Sequence, residues 1–180
     1  LYNMIRHFRP KRIVEGGSGQ STLMAIEAIA ANRLADPLYD CRVTCIEPFE
    51  QPWLERLGVE VIRRRVEDCP DDLIASLEAD DFFFIDSSHV IRPQGDVLHL
   101  FQHLLPRVAP GVIVQVHDVF TPRDYPAKWV IDDRRLWNEQ YLMEAFLAFN
   151  GAFEVLLAVN WLANDRRELI TDACPMLMKK

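Results

Sequence analysis

The sequence predicts an α/β protein built on a doubly wound, mainly parallel sheet with helices on both faces. Three observations carry that expectation. Short apolar runs alternate with amphipathic stretches along most of the chain. Polar residues recur where the apolar runs end, at Glu15 to Gly19, Glu47, Glu67-Asp68, Asp86 to His89 and His117-Asp118. Phe82 to Asp86 is apolar without alternation up to its last residue, as a strand covered on both faces must be.

Arg12 to Glu15 reads as the first strand, ended by Gly16-Gly17-Ser18-Gly19. Ser21 or Thr22 is placed to cap the helix that follows, whose Leu23, Ile26, Ile29 and Ala30 share one face. Arg42 to Glu47 is the second strand, closed by Pro48. Pro52 to Leu57 reads as a short helix and Val59 to Arg63 as the third strand. Pro70 to Leu77 is a helix, with Pro70 in its first turn and Asp71 and Asp72 favouring its dipole. Phe82 to Asp86 is the fourth strand. Asp96 to Leu105 follows as a helix with Leu98, Phe101, Leu104 and Leu105 inward, and Val112 to Val116 is the fifth strand. Thr121-Pro122 and Tyr125-Pro126 make the next segment a loop, which either forms a wall for a ligand or packs on the helix after it. That helix is expected from Asp133 to Phe149, and a sixth strand from Phe153 to Val159.

With 180 residues, 49% of them hydrophobic and 26% charged, the chain suits one soluble domain spanning 1–180. A chain this long buries roughly 70% of its unfolded surface and needs no staple. It opens at Leu1 with no signal peptide, so a segment of a longer protein is expected. Twenty basic against 27 acidic residues, net −7, disfavour a nucleic-acid partner. The clusters Arg63-Arg64-Arg65 and Arg6, Arg9, Lys11, Arg12 read as solvated surface. Val155 to Val159, the most apolar stretch, is far too short to span a bilayer. Cys41 and Cys45 sit four apart on a strand, roughly 13 Å, too far to bridge. Buried free thiols in a reducing cytoplasm follow for them and for Cys69 and Cys174.

In a sheet of this kind ligands sit outside the carboxyl ends of the strands. Gly16, Gly17 and Gly19 allow a tight turn and a close backbone approach there. Thr22 stands where a dinucleotide fingerprint needs its third glycine, and Gln20-Ser21 where a phosphate loop needs Gly-Lys. Glu47 can accept hydrogen bonds from vicinal ribose hydroxyls, and Glu67 or Asp68 can meet an adenine amino group. Together they point to a nucleoside ligand.

Val14-Glu15-Gly16-Gly17-Ser18-Gly19-Gln20-Ser21-Thr22 resembles the first motif of class I S-adenosylmethionine-dependent methyltransferases, whose fold is Rossmann-like. Cys45-Ile46-Glu47-Pro48 resembles their second motif. Phe84-Ile85-Asp86-Ser87-Ser88-His89 followed by Gly95-Asp96-Val97 is similar to the fourth-strand segment of the small-molecule O-methyltransferase-like branch, and Pro110-Gly111-Val112 through His117-Asp118 to its fifth-strand segment. Trp137-Asn138-Glu139-Gln140-Tyr141 resembles bacterial members. The resemblance implies that Glu15, Gly17, Gly19, Ser21 and Thr22 shape the methionine end of the pocket. It places Glu47 at the ribose, Glu67 or Asp68 at the adenine, and Asp86 beside the cofactor. The family's sheet closes with a sixth strand and an antiparallel seventh, and no seventh is readable after Trp161.

The resemblance implies S-adenosylmethionine as cofactor, with methyl transfer to a small-molecule or saccharide-like acceptor, at oxygen. An oxygen acceptor must lose a proton to a base or to a metal that lowers its pKa. Asp86, His89, His117 and Asp118 are the groups to hand. Relatives that bind a divalent metal use an Asp after the fourth strand and an acidic pair after the fifth. Asp86, His117 and Asp118 stand in those places, with one acid replaced by histidine. Metal binding, a base role for His117 or His89 with Asp118 nearby, and plain hydrogen bonding by the two histidines all stay open. His99 and His103, four apart on a helix, read as a solvated face. A nicotinamide-dependent oxidoreductase and a catalytically silent nucleoside-binding module are the competing readings. The expected partner is the small-molecule acceptor, without nucleic acid or membrane; a homo-oligomer stays open.

Overall fold

The computed structural model describes residues 1–49 and 52–171. The chain divides into two compact units, Leu1–His117 and Asp118–Lys180.

The first unit carries a five-stranded sheet in the order β3-β2-β1-β4-β5, every pairing parallel. Central β1 (Arg12–Gly16) lies between β2 (Arg42–Ile46) and β4 (Phe82–Ile85), flanked in turn by β3 (Glu60–Ile62) and β5 (Ile113–Val116). Each of these five strands falls where the sequence places it, β1 longer by one residue and the others trimmed by one or two. The chain steps from β1 outward to β2 and β3, then returns past β1 to β4 and moves on to β5. Right-handed crossovers on opposite headings put their helices on opposite faces. Gly16 pairs with both Ile46 and Ile85, so the carboxyl ends of β1, β2 and β4 finish flush. The crevice at that switch point is where this topology receives ligands.

One face of the sheet, with Ile13, Val43, Cys45, Phe82, Phe84 and Ile113, packs on Ala25, Ala28 and Ile29 of α2 (Gln20–Ala35) and Ile5 of α1 (Tyr2–Phe8). Strand alternation turns Val14, Phe83 and Ile85 to the other face, and α3 (Asp72–Ala75) and α4 (Asp96–His99) add buried Ile74 and Val97. The helix expected from Asp96 to Leu105 changes character midway. It runs as a π-helix over Leu100–Leu104 and a 3₁₀ turn over Leu105–Arg107, where Pro106 brings no N–H to continue the ladder. Pro52 to Leu57 contracts to a 3₁₀ turn, Leu54–Leu57. Ser21 and Thr22 stand inside the first turn of α2, not ahead of it, because the helix begins at Gln20.

Helix α1 was not legible in the sequence, since only Ile5 of its seven residues is buried and no periodicity shows. It is tied down by Asn32, whose Nδ2 donates to the Ile5 carbonyl at 3.0 Å and whose Oδ1 accepts from Arg6 at 2.6 Å. Arg12 binds Asp81 through both Nε and its backbone N–H. Arg6 and Arg12 are thus structural residues, not the solvated surface expected of them. Cys41, Cys45 and Cys69 are free thiols; burial pushes Cys41 up to about 11 and Cys45 up to about 12. Cys174 lies outside the described residues.

The regular elements among the described residues of the second unit are all helices: α5 (Ala127–Ile131), α6 (Glu139–Leu147), α7 (Val159–Asp165) and α8 (Arg167–Thr171). Two expectations fail here. The helix expected from Asp133 to Phe149 covers only Glu139–Leu147. The N–H groups of Asp133 and Arg135 turn back to the carbonyls of Lys128 and Trp129, and so close α5 where the long helix would have begun. The expected sixth strand from Phe153 to Val159 is irregular chain up to α7, with Val155, Leu156 and Leu157 exposed. Its run of apolar residues lacks the alternation of a half-buried strand. The loop from Phe120 to Trp129 packs on α6. Gln140 accepts from the Phe120 N–H at 2.7 Å and donates to the Arg123 carbonyl at 2.8 Å, while its own N–H donates to the Tyr125 hydroxyl at 3.0 Å.

Among the described residues no helix is long and apolar enough to cross a membrane.

Candidate functional site

A cavity of about 380 Å³ opens at the carboxyl ends of β1, β2 and β4. Gly16 and Gly17 form its floor on β1, Glu47 and Phe49 its side beyond β2, Glu67 its side beyond β3, and Asp86, Ser87 and Ser88 its side beyond β4. Gly17 has φ +87° and stands so close to the β4 end that a Cβ would meet the Asp86 carbonyl oxygen at 1.8 Å. Only glycine satisfies both conditions.

Glu47 is 5% exposed, and its carboxylate is held from two directions. Oε2 accepts from the Ser18 N–H at 3.2 Å and its hydroxyl at 3.1 Å, and Oε1 from the Phe49 N–H at 2.9 Å. A carboxylate offers about four acceptor positions, so capacity for a further donor remains. Arg63, exposed as expected, also braces this loop by donating to the carbonyls of Glu47 and Phe49. Glu67 lines the cavity, whereas Asp68 is exposed and does not. Glu67 Oε1 is buried and carries no hydrogen bond; its near charge is the Arg92 guanidinium at 3.5 Å.

Glu15 and Thr22 are buried and do not line the cavity. The Thr22 hydroxyl accepts from the Gly19 N–H at 3.1 Å and donates to Glu15 Oε2 at 2.5 Å, so one side chain joins the turn to the strand. Burial raises the Glu15 pKa, against the hydroxyls of Ser21 and Thr22, which lower it.

Asp86 brings the two candidate histidines together. Its Oδ1 lies 3.1 Å from His89 Nε2 and 3.4 Å from His117 Nδ1. Burial favours the neutral acid, but the hydrogen bonds from His117 and His89 outweigh it and hold the carboxyl well below the usual range. His89 is buried with a left-handed φ of 59°, while His117 is half exposed. Asp118 opens the second unit, with φ 53°.

A family model described as a methyltransferase domain matches residues 14–119. The chain belongs to the class I S-adenosylmethionine-dependent methyltransferase family. Comparison with curated proteins and with solved structures returns no significant match. The all-parallel sheet flanked by helices is the Rossmann-like fold of that family.

The cavity wall also includes Asp96, which the sequence offered only within the Gly95-Asp96-Val97 resemblance, and Arg92, which it did not single out. Asp96, buried at the start of α4, accepts from the Ser88 N–H at 2.7 Å, the Ser88 hydroxyl at 2.6 Å and Arg92 at 3.2 Å. It thereby fixes the loop that carries His89. Arg92 spans from Asp96 to Glu67 along the cavity wall. Gly95-Asp96 at a helix start was the available signal for Asp96; nothing in the sequence marks Arg92.

The donor chemistry suits the family's cofactor. Glu47 keeps acceptor capacity, Glu67 has a buried oxygen without a donor, and the Gly17 turn leaves backbone where a side chain would intrude.

Proposed function

We propose that this chain transfers the methyl group of S-adenosylmethionine to an oxygen of a small-molecule or saccharide-like acceptor. One observation carries the reading: Asp86 lines the cavity and also engages both histidines, so nucleoside-binding and proton-handling groups meet at one strand end. In this reading Glu47 holds the ribose hydroxyls and Glu67 accepts from the adenine amino group. Gly17, Gly19 and Ser21 shape the methionine end, with Glu15 and Thr22 holding that turn from behind the cavity, and exposed Asp68 is left out of the adenine contact. S-adenosylmethionine, when bound, supplies an electrophilic methyl on a sulfonium sulfur.

The acceptor hydroxyl must lose a proton as it is methylated. His117 engages Asp86 through Nδ1, which assigns Nε2 to take that proton, and the ionised Asp86 stabilises the imidazolium that results. His89, buried on the other side of the same oxygen, fixes the orientation of Asp86. A second reading has a divalent cation held by Asp86 and His117, lowering the acceptor pKa. Their separation of 3.4 Å suits neighbouring ligands of one ion as well as it suits a hydrogen bond. The compartment that fits the free thiols is a reducing cytoplasm.

Calorimetric titration with S-adenosylmethionine and S-adenosylhomocysteine, against NAD and NADP, tests the cofactor. Binding of the methionine nucleosides alone is expected; binding of NAD alone overturns the reading. Turnover on hydroxylated acceptors with and without chelator then separates the base from the metal. Tight cofactor binding with no turnover on any acceptor assigns the chain to a silent binding module.

A further inference from the structure

The turn between α5 and α6 builds an aromatic cage and fills it with a side chain of its own. The rings of Trp129 and Trp137 stand at 83° with centroids 5.2 Å apart. The Arg135 guanidinium lies over both, its central carbon 4.4 Å from the first centroid and 4.8 Å from the second. Phe120 packs against Trp129 with centroids 5.2 Å apart and the ring planes at 89°. Asp133 adds a carboxylate, its Oδ2 3.8 Å from Arg135 Nε.

The placement of Arg135 is built in. Its N–H donates to the Trp129 carbonyl at 2.8 Å, and the preceding Arg134 takes a left-handed φ of 51° that a non-glycine residue adopts at a cost. Arg135 is nevertheless exposed, and the two indoles are half-buried, so the guanidinium is a surface plug rather than part of a core. Two roughly perpendicular π faces beside a carboxylate attract a weakly hydrated organic cation through the ring quadrupoles and the negative charge. We propose that Trp129, Trp137 and Asp133 form a binding site for an organic cation of the alkylated-ammonium or guanidinium class, with Arg135 as the internal occupant that the ligand displaces. An occupied site binds with its intrinsic affinity reduced by the fraction of time the cage stands open. Removing Arg135 therefore strengthens binding.

The test follows tryptophan fluorescence and the indole N–H signals in two-dimensional NMR. Tetramethylammonium chloride or methylguanidinium chloride is added at constant ionic strength, with sodium chloride as blank. The proteins are the wild-type chain, Arg135→Ala, Arg135→Gln, and Arg135→Ala combined with Trp129→Leu. Saturable binding is expected in Arg135→Ala, about tenfold tighter than in the wild type, and its loss is expected in the double variant. The cation with the stronger response identifies the class. Should Arg135→Ala lose its cooperative melt, Arg135→Gln keeps the side-chain length without the charge and decides in its place. The wild type must show the same indole signals moving at higher cation concentration. Equal affinity with and without Arg135, a response that survives loss of Trp129, or indole signals unmoved by either cation would overturn the proposal.

Discussion

Glu15 is 2% exposed, and one of its carboxylate oxygens has no hydrogen bond. A buried, half-satisfied carboxylate is costly to the fold, and in the proposed site that cost maintains a negative group near a sulfonium cofactor. Glu15→Gln keeps an oxygen for Thr22 and removes the charge. Its Tm at neutral pH should rise on the order of 2–4 °C, the equivalent of about 1 kcal/mol in a chain of this size, while S-adenosylmethionine binding weakens. A lowered melting temperature in scanning calorimetry would show that the carboxylate stabilises the fold. Glu47→Ala acts on binding instead, since its partners lie near solvent. Affinity should drop by on the order of 1.5–3 kcal/mol, the worth of a hydrogen bond to a charged group; unchanged calorimetric affinity would remove Glu47 from the ribose. His117→Ala should leave that affinity nearly intact and lower turnover by about 10²–10⁴-fold, the usual contribution of a positioned base. Full activity in this variant would return His117 to a structural role.

At the scale of the element, the turn after β1 is set by sterics that two glycines separate. Gly58 has φ +72° with open space where a Cβ would stand, whereas Gly17 combines φ +87° with a backbone oxygen in the way. Gly58→Ala should therefore cost about 1–2 kcal/mol, the left-handed penalty alone. Gly17→Ala should cost more than that and abolish cofactor binding, because the Asp86 carbonyl follows directly on the β4 ladder and has little room to retreat. Chemical denaturation of the two variants compares them, and equal losses would mean that the turn yields. This part of the site was legible because period and punctuation encode it: parallel strands end together, and Gly17, Glu47, Glu67 and Asp86 sit at their ends. Phe49, Arg63 and Arg92 were not legible as site residues, since their roles depend on the paths of loops that no periodicity describes. The same limit explains the sixth strand. Phe153 to Val159 has strand-like composition, but composition cannot supply the neighbour whose backbone groups a strand must bond.

Over the whole molecule, buried carboxyl groups pull the pH dependence of stability in opposite directions. Burial opposes ionisation of Asp86 and Asp96, yet the histidines around the first, and Ser88, Ser87 and Arg92 around the second, hold both below the ordinary carboxylate range. Below about pH 4 the unfolded chain takes up protons at these positions before the folded one does, so their contribution is present above that range and lost as pH falls. Glu15 has the reverse sign. Its raised pKa means that the folded chain holds the proton longer, so stability declines as pH climbs past the ordinary glutamate value. A net charge of −7 adds self-repulsion on the same side. Melting temperature against pH should therefore peak in the weakly acidic range, at about pH 5. Asp96→Asn should flatten the acid limb, because an amide has no proton to gain there, and Glu15→Gln should flatten the neutral limb. A wild-type curve that rises without a maximum to pH 8, unchanged by Glu15→Gln, would show that the buried carboxylate costs the fold nothing.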